Sequence, residues 1–398
     1  MDKTHMTTTD LTIPELLFAL IRYELFGIPL DKEAFSCLTE DTLERIYALA
    51  DRHDLAHWAA DALYQNGCLP KELEITQKYQ QIQMVSVYRC TNLTLERAKI
   101  SKAFEEAQIP YVPLKGMIIK DYYPKPHLRT SSDTDILVRK ENLPRALECL
   151  EQRLNYKRAE ESYHFHDISL FSPGGFHLEL HFTLACDRAM LDPTLEKVWD
   201  YCEPLKDGSF EYRQSPEFFM FHQIAHMASH FLNGGCGIRP LADLQLLRQH
   251  WTYDEAQLEE LCEAAHIMTF YSRIKALCGV WFEGQAHDEI TVQMQSYILF
   301  GGVYGIMDNT IAVKNQKQSK FSYIMSRIFM PYRHLKIRYP ILAKHKWLYP
   351  VMTLRRWFSF LSPVRRKRAT TELKKTSALS DRRITEVGLL LEALDLKD

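Results

Sequence analysis

From position 309 to position 371 the sequence contains no Asp or Glu, although the same stretch holds fifteen Lys and Arg residues. There is also no run of about 18 uncharged apolar residues, the length a membrane-spanning helix needs, because Arg, Lys or His interrupts the most apolar stretches. Met1 to Asp10 is polar and lacks a basic segment leading into an apolar one, so no secretory signal is expected. The nine cysteines, at 37, 68, 90, 149, 186, 202, 236, 262 and 278, are odd in number and include no C-x-x-C. This scatter argues against a disulfide framework or a zinc ribbon and fits thiols in a reducing cytoplasm. No internal repeat is visible.

What is present is ordinary globular composition: 398 residues, 46% hydrophobic, with 49 Lys and Arg against 51 Asp and Glu. The length suggests two or three domains and a core that needs no disulfide or metal staple. The formal charge of −2 is a cancellation, since residues 1–308 carry 29 basic and 45 acidic side chains, a net of −16. An acidic body joined to a basic arm raises the question of a membrane or nucleic-acid partner.

Hydrophobic periodicity divides the chain into four regions. Residues 1–107 read as an N-terminal helical region, with Leu16, Leu17, Leu20, Leu43, Ile46 and Ala50 recurring at three- and four-residue intervals and Gly27, Gly67 and Pro70 as breaks. No chemical constellation stands out there, and a scaffold or lid is expected. Residues 108–205 change to short β-rich runs: Tyr111–Leu114, Asp133–Val138, then an amphipathic helix over Glu141–Leu154. His164–Phe171 and Phe176–Phe182, joined by Ser172-Pro173-Gly174-Gly175, predict a hairpin. Residues 206–308 return to helices that pack on this core, and 309–398 form a basic, aromatic-rich helical extension. The fold class is α+β, a small mixed sheet flanked by helical regions.

The most informative stretch is Asp133-Thr134-Asp135-Ile136-Leu137-Val138. Alternation in a strand points Asp133 and Asp135 to one face and Thr134, Ile136 and Val138 to the other. Two converging carboxylates raise each other's pKa unless a cation sits between them, and oxygen ligands suit magnesium. The second hairpin strand has the same alternation: His177, Glu179 and His181 share one face, so Glu179 can be a third carboxylate. Such a set fits a two-metal phosphoryl-transfer site. Taken alone, D-x-D is more often a strand end or turn than a metal site. Upstream, Lys115-Gly116 stands where a strand turns into a helix over Met117–Tyr123, a place that favours a phosphate. Arg129 could reach the same phosphates. A plain tight turn and a surface charge are the simpler explanations of Gly116 and Arg129.

Leu114-Lys115-Gly116, Tyr123-Pro124, Arg129, Asp133-x-Asp135-Ile136-Leu137-Val138 and Leu178-Glu179-Leu180-His181, with Leu17–Gly27 before them and Asp243-Leu244 after, resemble an uncharacterised bacterial nucleotidyltransferase family of the DNA polymerase β superfamily. The similarity spans most of residues 13–260. It implies a minimal nucleotidyltransferase core whose metal-binding carboxylates fall on Asp133, Asp135 and Glu179. The sequence departs from the superfamily at Met117, where Ser or a second Gly usually follows the turn glycine.

His222, His226 and His230 are four apart and share a helical face. His222-Gln223-Ile224-Ala225-His226 lacks the Glu of a zinc protease, and the three histidines spread over about 12 Å, too far for one ion. They are either satisfied core histidines or a face turned to the substrate, with His226 as the candidate and His181 as a second substrate contact. Gly234-Gly235-Cys236-Gly237 could bring Arg239 to an anionic substrate, and Asp243 is explained equally well by the helix dipole.

The expected function is a Mg²⁺- or Mn²⁺-dependent nucleotidyltransferase. It would transfer a nucleoside monophosphate from an NTP, ATP being the first choice, to a small-molecule, sugar or protein acceptor with release of pyrophosphate. Lys115, Gly116 and Arg129 would hold the triphosphate, and Asp133, Asp135 and Glu179 the metals. The alternative is an inactive nucleotide-binding regulator or envelope-associated scaffold. The acidity of residues 1–308 disfavours nucleic acid as partner. The arm, with Tyr323, Phe329, Trp347 and Trp357 among Arg and Lys, either folds back on the acidic body or touches the inner face of a membrane from the cytoplasm.

Overall fold

The computed structural model describes residues 11–131, 133–163, 165–303, 307–315, 341–359 and 381–396, with positions 329, 330, 332, 335 and 339. Helix α1 (Ile13–Phe26) starts at a capping box, in which Thr12 and Glu15 satisfy each other's backbone amides, and ends at Gly27 in the left-handed conformation. After α2 (Lys32–Ser36) and α3 (Glu40–Arg52) comes α4 (Ala56–Gln65). Every residue of α4 from Ala56 to Leu63 is buried, so α4 is the inner helix of this region. Helix α5 (Glu74–Glu106) has 33 residues, about 50 Å of continuous helix, and leads to the sheet.

The sheet has five strands in the order β1-β2-β5-β4-β3: β1 (Tyr111–Pro113), β2 (Asp133–Val138), β3 (Lys157–Tyr163), β4 (Asp167–Phe171) and β5 (His177–His181). Only β2 and β5 run parallel; the other neighbours are antiparallel. The hairpin of β4 and β5 turns at residues 172–176, with Gly175 at φ 78°, a value that explains the glycine. Strand β3 has no counterpart in the periodicity. It lies at the sheet edge, where a polar run such as Lys157-Arg158-Ala159-Glu160 is tolerated and apolar alternation is not required. Beyond Gly116 the helix is also shorter than the sequence suggested: α6 covers only Gly116–Ile119 and passes into a 3₁₀ turn over Lys120–Tyr122.

One face of the sheet is dry. Ile136, Val138, Ile168, Leu170, Leu178 and Leu180 pack there against Ile100 and Phe104 of α5 and Leu147 and Leu150 of α7 (Leu143–Arg153). A larger core runs from Leu16 to Leu396 and joins the N-terminal helices to those after the sheet. Following a short helix α8 (Asp192–Leu195) and the ribbon β6 (Cys202–Pro204) and β7 (Tyr212–Gln214), these are α9 (Pro216–Leu232), α10 (Arg239–His250), α11 (Glu255–Ala264), α12 (Met268–Glu283) and α13 (Glu289–Gly301). Helix α14 (Met307–Asn315) meets the final helix, α17 (Asp381–Ala393), where Arg383 Nη2 donates to Asn309 Oδ1 at 2.9 Å. Within the basic arm lie α15 (Ile341–Lys344) and α16 (Tyr349–Ser359). Residues 316–328 and 360–380, to which much of the arm reading applied, lie outside the described residues. The architecture is α+β, a mixed sheet in a helix-rich frame. Among the described residues no helix is long and apolar enough to cross a membrane.

Candidate active site

The parallel pairing of β2 with β5 sets Asp133 opposite His177 and Asp135 opposite Glu179. Since side chains on one strand alternate, the even positions of β2 enter the dry core while Asp133 and Asp135 face the other way with His177, Glu179 and His181. Asp167 and Ser169 of β4 stand opposite His181 and Glu179 and extend the same polar row. Ligand atoms of Asp135, Glu179 and His181 all lie within 4.8 Å of one another. The same holds for Asp133, His177 and Glu179, and for His166, Asp167 and His181. Glu179 is common to the first two groups.

Lys115 is the cation of this cluster. Its backbone, at φ 45° and ψ −120°, lies in a region that disfavours any side chain, at a cost of about 1–3 kcal/mol. A turn closed by the Met117 amide on the Leu114 carbonyl at 3.1 Å holds it there, and the Leu114 amide is anchored on the Asp135 carbonyl at 3.0 Å. Lys115 Nζ donates to Asp135 Oδ1 at 3.1 Å. His181 Nε2 is 2.9 Å from the same oxygen and 3.6 Å from Glu179 Oε2. Burial pulls the Lys115 pKa down, but Asp135, Asp133 and Glu179 outweigh it and leave it raised. Burial likewise opposes ionisation of Asp135, yet Lys115 and His181 hold its carboxyl well below the usual range. Asp133 moves the opposite way: burial first, then the charge of Asp135, raise it, against a hydrogen bond of 2.7 Å from Ser131 Oγ. His181 loses charge preference by burial and regains more from Asp135 and Glu179, so its pKa is raised.

Three carboxylates and two imidazoles around a single lysine leave an excess of negative charge that a divalent cation would neutralise, and oxygen and imidazole donors are its usual ligands. The residues therefore fit such an ion. Asp135, Glu179 and His181 could hold one, and Asp133, His177 and Glu179 another.

Gly116, Arg129, Arg239 and Asp243 form an adjoining network, buried except for the partly exposed Arg239. The Arg129 guanidinium lies over Gly116, where a Cβ would come within 3.0 Å of Nη1 and 3.2 Å of Cζ, so the glycine is a close-approach residue. Arg129 Nε donates to both carboxylate oxygens of Asp243, at 2.9 and 3.1 Å, and Tyr123 OH donates to Asp243 Oδ1 at 2.7 Å. Arg129 Nη1 and Arg239 Nη1 share the Thr130 carbonyl, at 3.0 and 3.3 Å. Arg239 also pairs with Asp54, which follows α3. These four residues are thus brought beside the carboxylates, with both guanidinium groups already engaged by protein partners.

On α9, His222 is buried and His226 and His230 are partly exposed, their Nε2 atoms 3.2 Å apart. All three are pushed below the normal imidazole pKa, first by burial and then by Lys115, His222 to about 3 and His230 to about 4.

Alternation placed His177 on the Glu179 face without giving it a role, and sequence reasoning passed over His166 and Asp167. It also missed the part played by the N-terminal helices. His57 Nε2 and Trp58 Nε1 meet the Leu128 carbonyl at 2.9 and 2.6 Å, and Lys125 pairs with Glu24, at 3.0 Å, and with Asp61. Helix α4 thereby grips the loop that carries Arg129. The run Asp54-Leu55-Ala56-His57-Trp58 gives only a weak hint of this.

No curated protein and no solved structure shows a significant match to the chain. A family model described as an uncharacterised nucleotidyltransferase matches residues 39–283, more than half of the chain, and that span includes the α4 grip, the Lys115 turn, the three carboxylates and the Arg129 network. The chain belongs to this nucleotidyltransferase family.

Proposed function

We propose that the protein is a metal-dependent nucleotidyltransferase that moves a nucleoside monophosphate from an NTP to an acceptor hydroxyl or phosphate. The observation that carries this reading is the in-register convergence of Asp133, Asp135 and Glu179 beside Lys115. An acceptor oxygen attacks the α-phosphorus, the bond from that phosphorus to its bridging oxygen breaks, and pyrophosphate leaves. Lys115 places positive charge against the triphosphate. Glu179, less buried than Asp135, would take the acceptor's proton. The Arg129 guanidinium packs on Gly116 and would fix the turn against which the phosphates lie. Asp133, Asp135 and Glu179, with His177 and His181, would hold Mg²⁺ or Mn²⁺, whose charge polarises the phosphate and stabilises the leaving group. ATP is the first nucleotide to test, and a small molecule, sugar or protein the acceptor class, because residues 1–308 are acidic. The nine unbonded cysteines suit a cytoplasmic setting.

The test is pyrophosphate release from each of the four NTPs against fractionated cell extract. Asp133→Asn with Asp135→Asn should abolish turnover while leaving the circular dichroism spectrum unchanged; retained turnover would sink the reading. One observation favours a second reading, a nucleotide-binding regulator without turnover: Met117 is buried in the dry core where the superfamily usually presents Ser or Gly to the phosphates. Calorimetry showing NTP binding with divalent ion but no pyrophosphate would support that alternative.

A further inference from the structure

Helix α16 (Tyr349–Ser359) is inside out for a helix in water. It buries Thr353 and Arg356 and exposes Val351, Leu354 and Trp357, which lie three residues apart and share one side. The 3₁₀ turn before it adds Trp347, 73% exposed, and α15 adds Ile341, 47% exposed. Phe329, itself 48% exposed, meets Trp357 edge-on at 5.3 Å between ring centroids and extends the same surface. The exposed residues Lys344, Lys346 and Arg355 flank these apolar groups, and no acidic residue occurs anywhere between positions 309 and 371. A patch of large apolar and aromatic side chains needs a cover.

We propose that this face docks on the surface of an anionic lipid bilayer, lying in the interface without spanning it. Charge complementarity selects this occupant. The charged residues that positions 309–371 bring to this face are all cations, which repel one another in a symmetric dimer, whereas anionic headgroups meet each of them, and two exposed indoles suit the boundary between headgroups and acyl chains. The short helix is amphipathic with basic residues beside its apolar side, the pattern of an interfacial anchor and not of a transmembrane segment. The acidic body, net −16 over residues 1–308, would be repelled from the same surface, so docking would hold the nucleotide site away from the bilayer.

The experiment is co-sedimentation of the full-length protein with phosphatidylcholine vesicles, with and without phosphatidylglycerol, at low and high salt, alongside tryptophan emission. Binding is expected only with phosphatidylglycerol, weakened at high salt, with a blue shift in emission. Trp347→Ala with Leu354→Ala and Trp357→Ala should weaken binding about tenfold or more, and so should Lys344→Glu with Lys346→Glu and Arg355→Glu. Both sets leave the buried Thr353 and Arg356 in place, and their circular dichroism spectra should match the parent's. No binding to anionic vesicles at low salt overturns the proposal, as does equal binding to neutral vesicles. So does a vesicle-free dimer that the apolar triple variant turns into a monomer without any lipid binding by the parent, because the face would then be a contact between copies.

Discussion

Arg129 and Asp243 form a buried ion pair, Nε to Oδ1 at 2.9 Å and to Oδ2 at 3.1 Å, that ties the loop before β2 to the first turns of α10. Both side chains are less than 10% exposed, so water cannot replace either partner. Loss of one partner leaves the other charge buried and uncompensated. Arg129→Met and Asp243→Leu should each destabilise by about 3–5 kcal/mol in urea denaturation, and the double variant by clearly less than the sum. Additive losses would show that the pair is not coupled.

A methyl group at position 116 would press on the Arg129 guanidinium at 3.0 Å and displace either it or the Lys115 turn. Gly116→Ala should therefore raise the KM for the nucleotide at least about tenfold while costing only about 1–2 kcal/mol of stability. Unchanged nucleotide affinity in steady-state kinetics would mean that the turn does not set the phosphate position.

Magnesium prefers oxygen donors, whereas the imidazole of His181 stands 2.9 Å from Asp135 within the carboxylate cluster. Mn²⁺ should accordingly bind more tightly than Mg²⁺ in calorimetry. His181→Ala should lower Mn²⁺ affinity by about 10- to 100-fold and narrow the difference between the two ions. An unaltered Mn²⁺ isotherm in that variant would remove His181 from the metal environment.

His53 is fully buried, with Nε2 3.4 Å from the Leu299 carbonyl, and burial pushes its pKa from 6.5 down to about 4. His57, also buried, is pushed down to about 4 in the same way. Between pH 6.5 and 4 the unfolded chain takes up protons that the folded chain refuses. Stability is thus present above pH 6.5 and is lost as pH falls toward 4, by on the order of 3 kcal/mol for His53. Chemical denaturation of His53→Gln at pH 7.5 and pH 5 should show a smaller difference between the two pH values than the parent shows. An equal difference would place the acid sensitivity elsewhere.

Within one element the sequence is enough to read a site. Alternation alone assigns Asp133 and Asp135 to one face of β2, and His177, Glu179 and His181 to one face of β5, because strand side chains repeat every two residues whatever the strand packs against. The hairpin was legible from its Pro-Gly-Gly turn for the same local reason. Strand β3 was not, since an edge strand can be polar and carries no apolar signature. The left-handed backbone of Lys115 was equally hidden, because nothing about a lysine announces a conformation that only the surrounding turn enforces.

What the sequence by itself determined, then, was the inventory of chemistry and the face each residue takes within its own strand or helix. The tertiary structure decided which faces meet: that β2 pairs parallel with β5 and brings Asp135 to Glu179, that Arg129 spends its guanidinium on Asp243, 114 positions away, and that α4 grips the loop carrying Arg129. Those are outcomes of register and burial, in which a charge removed from water must find a partner, and the partner is chosen by packing and not by proximity along the chain.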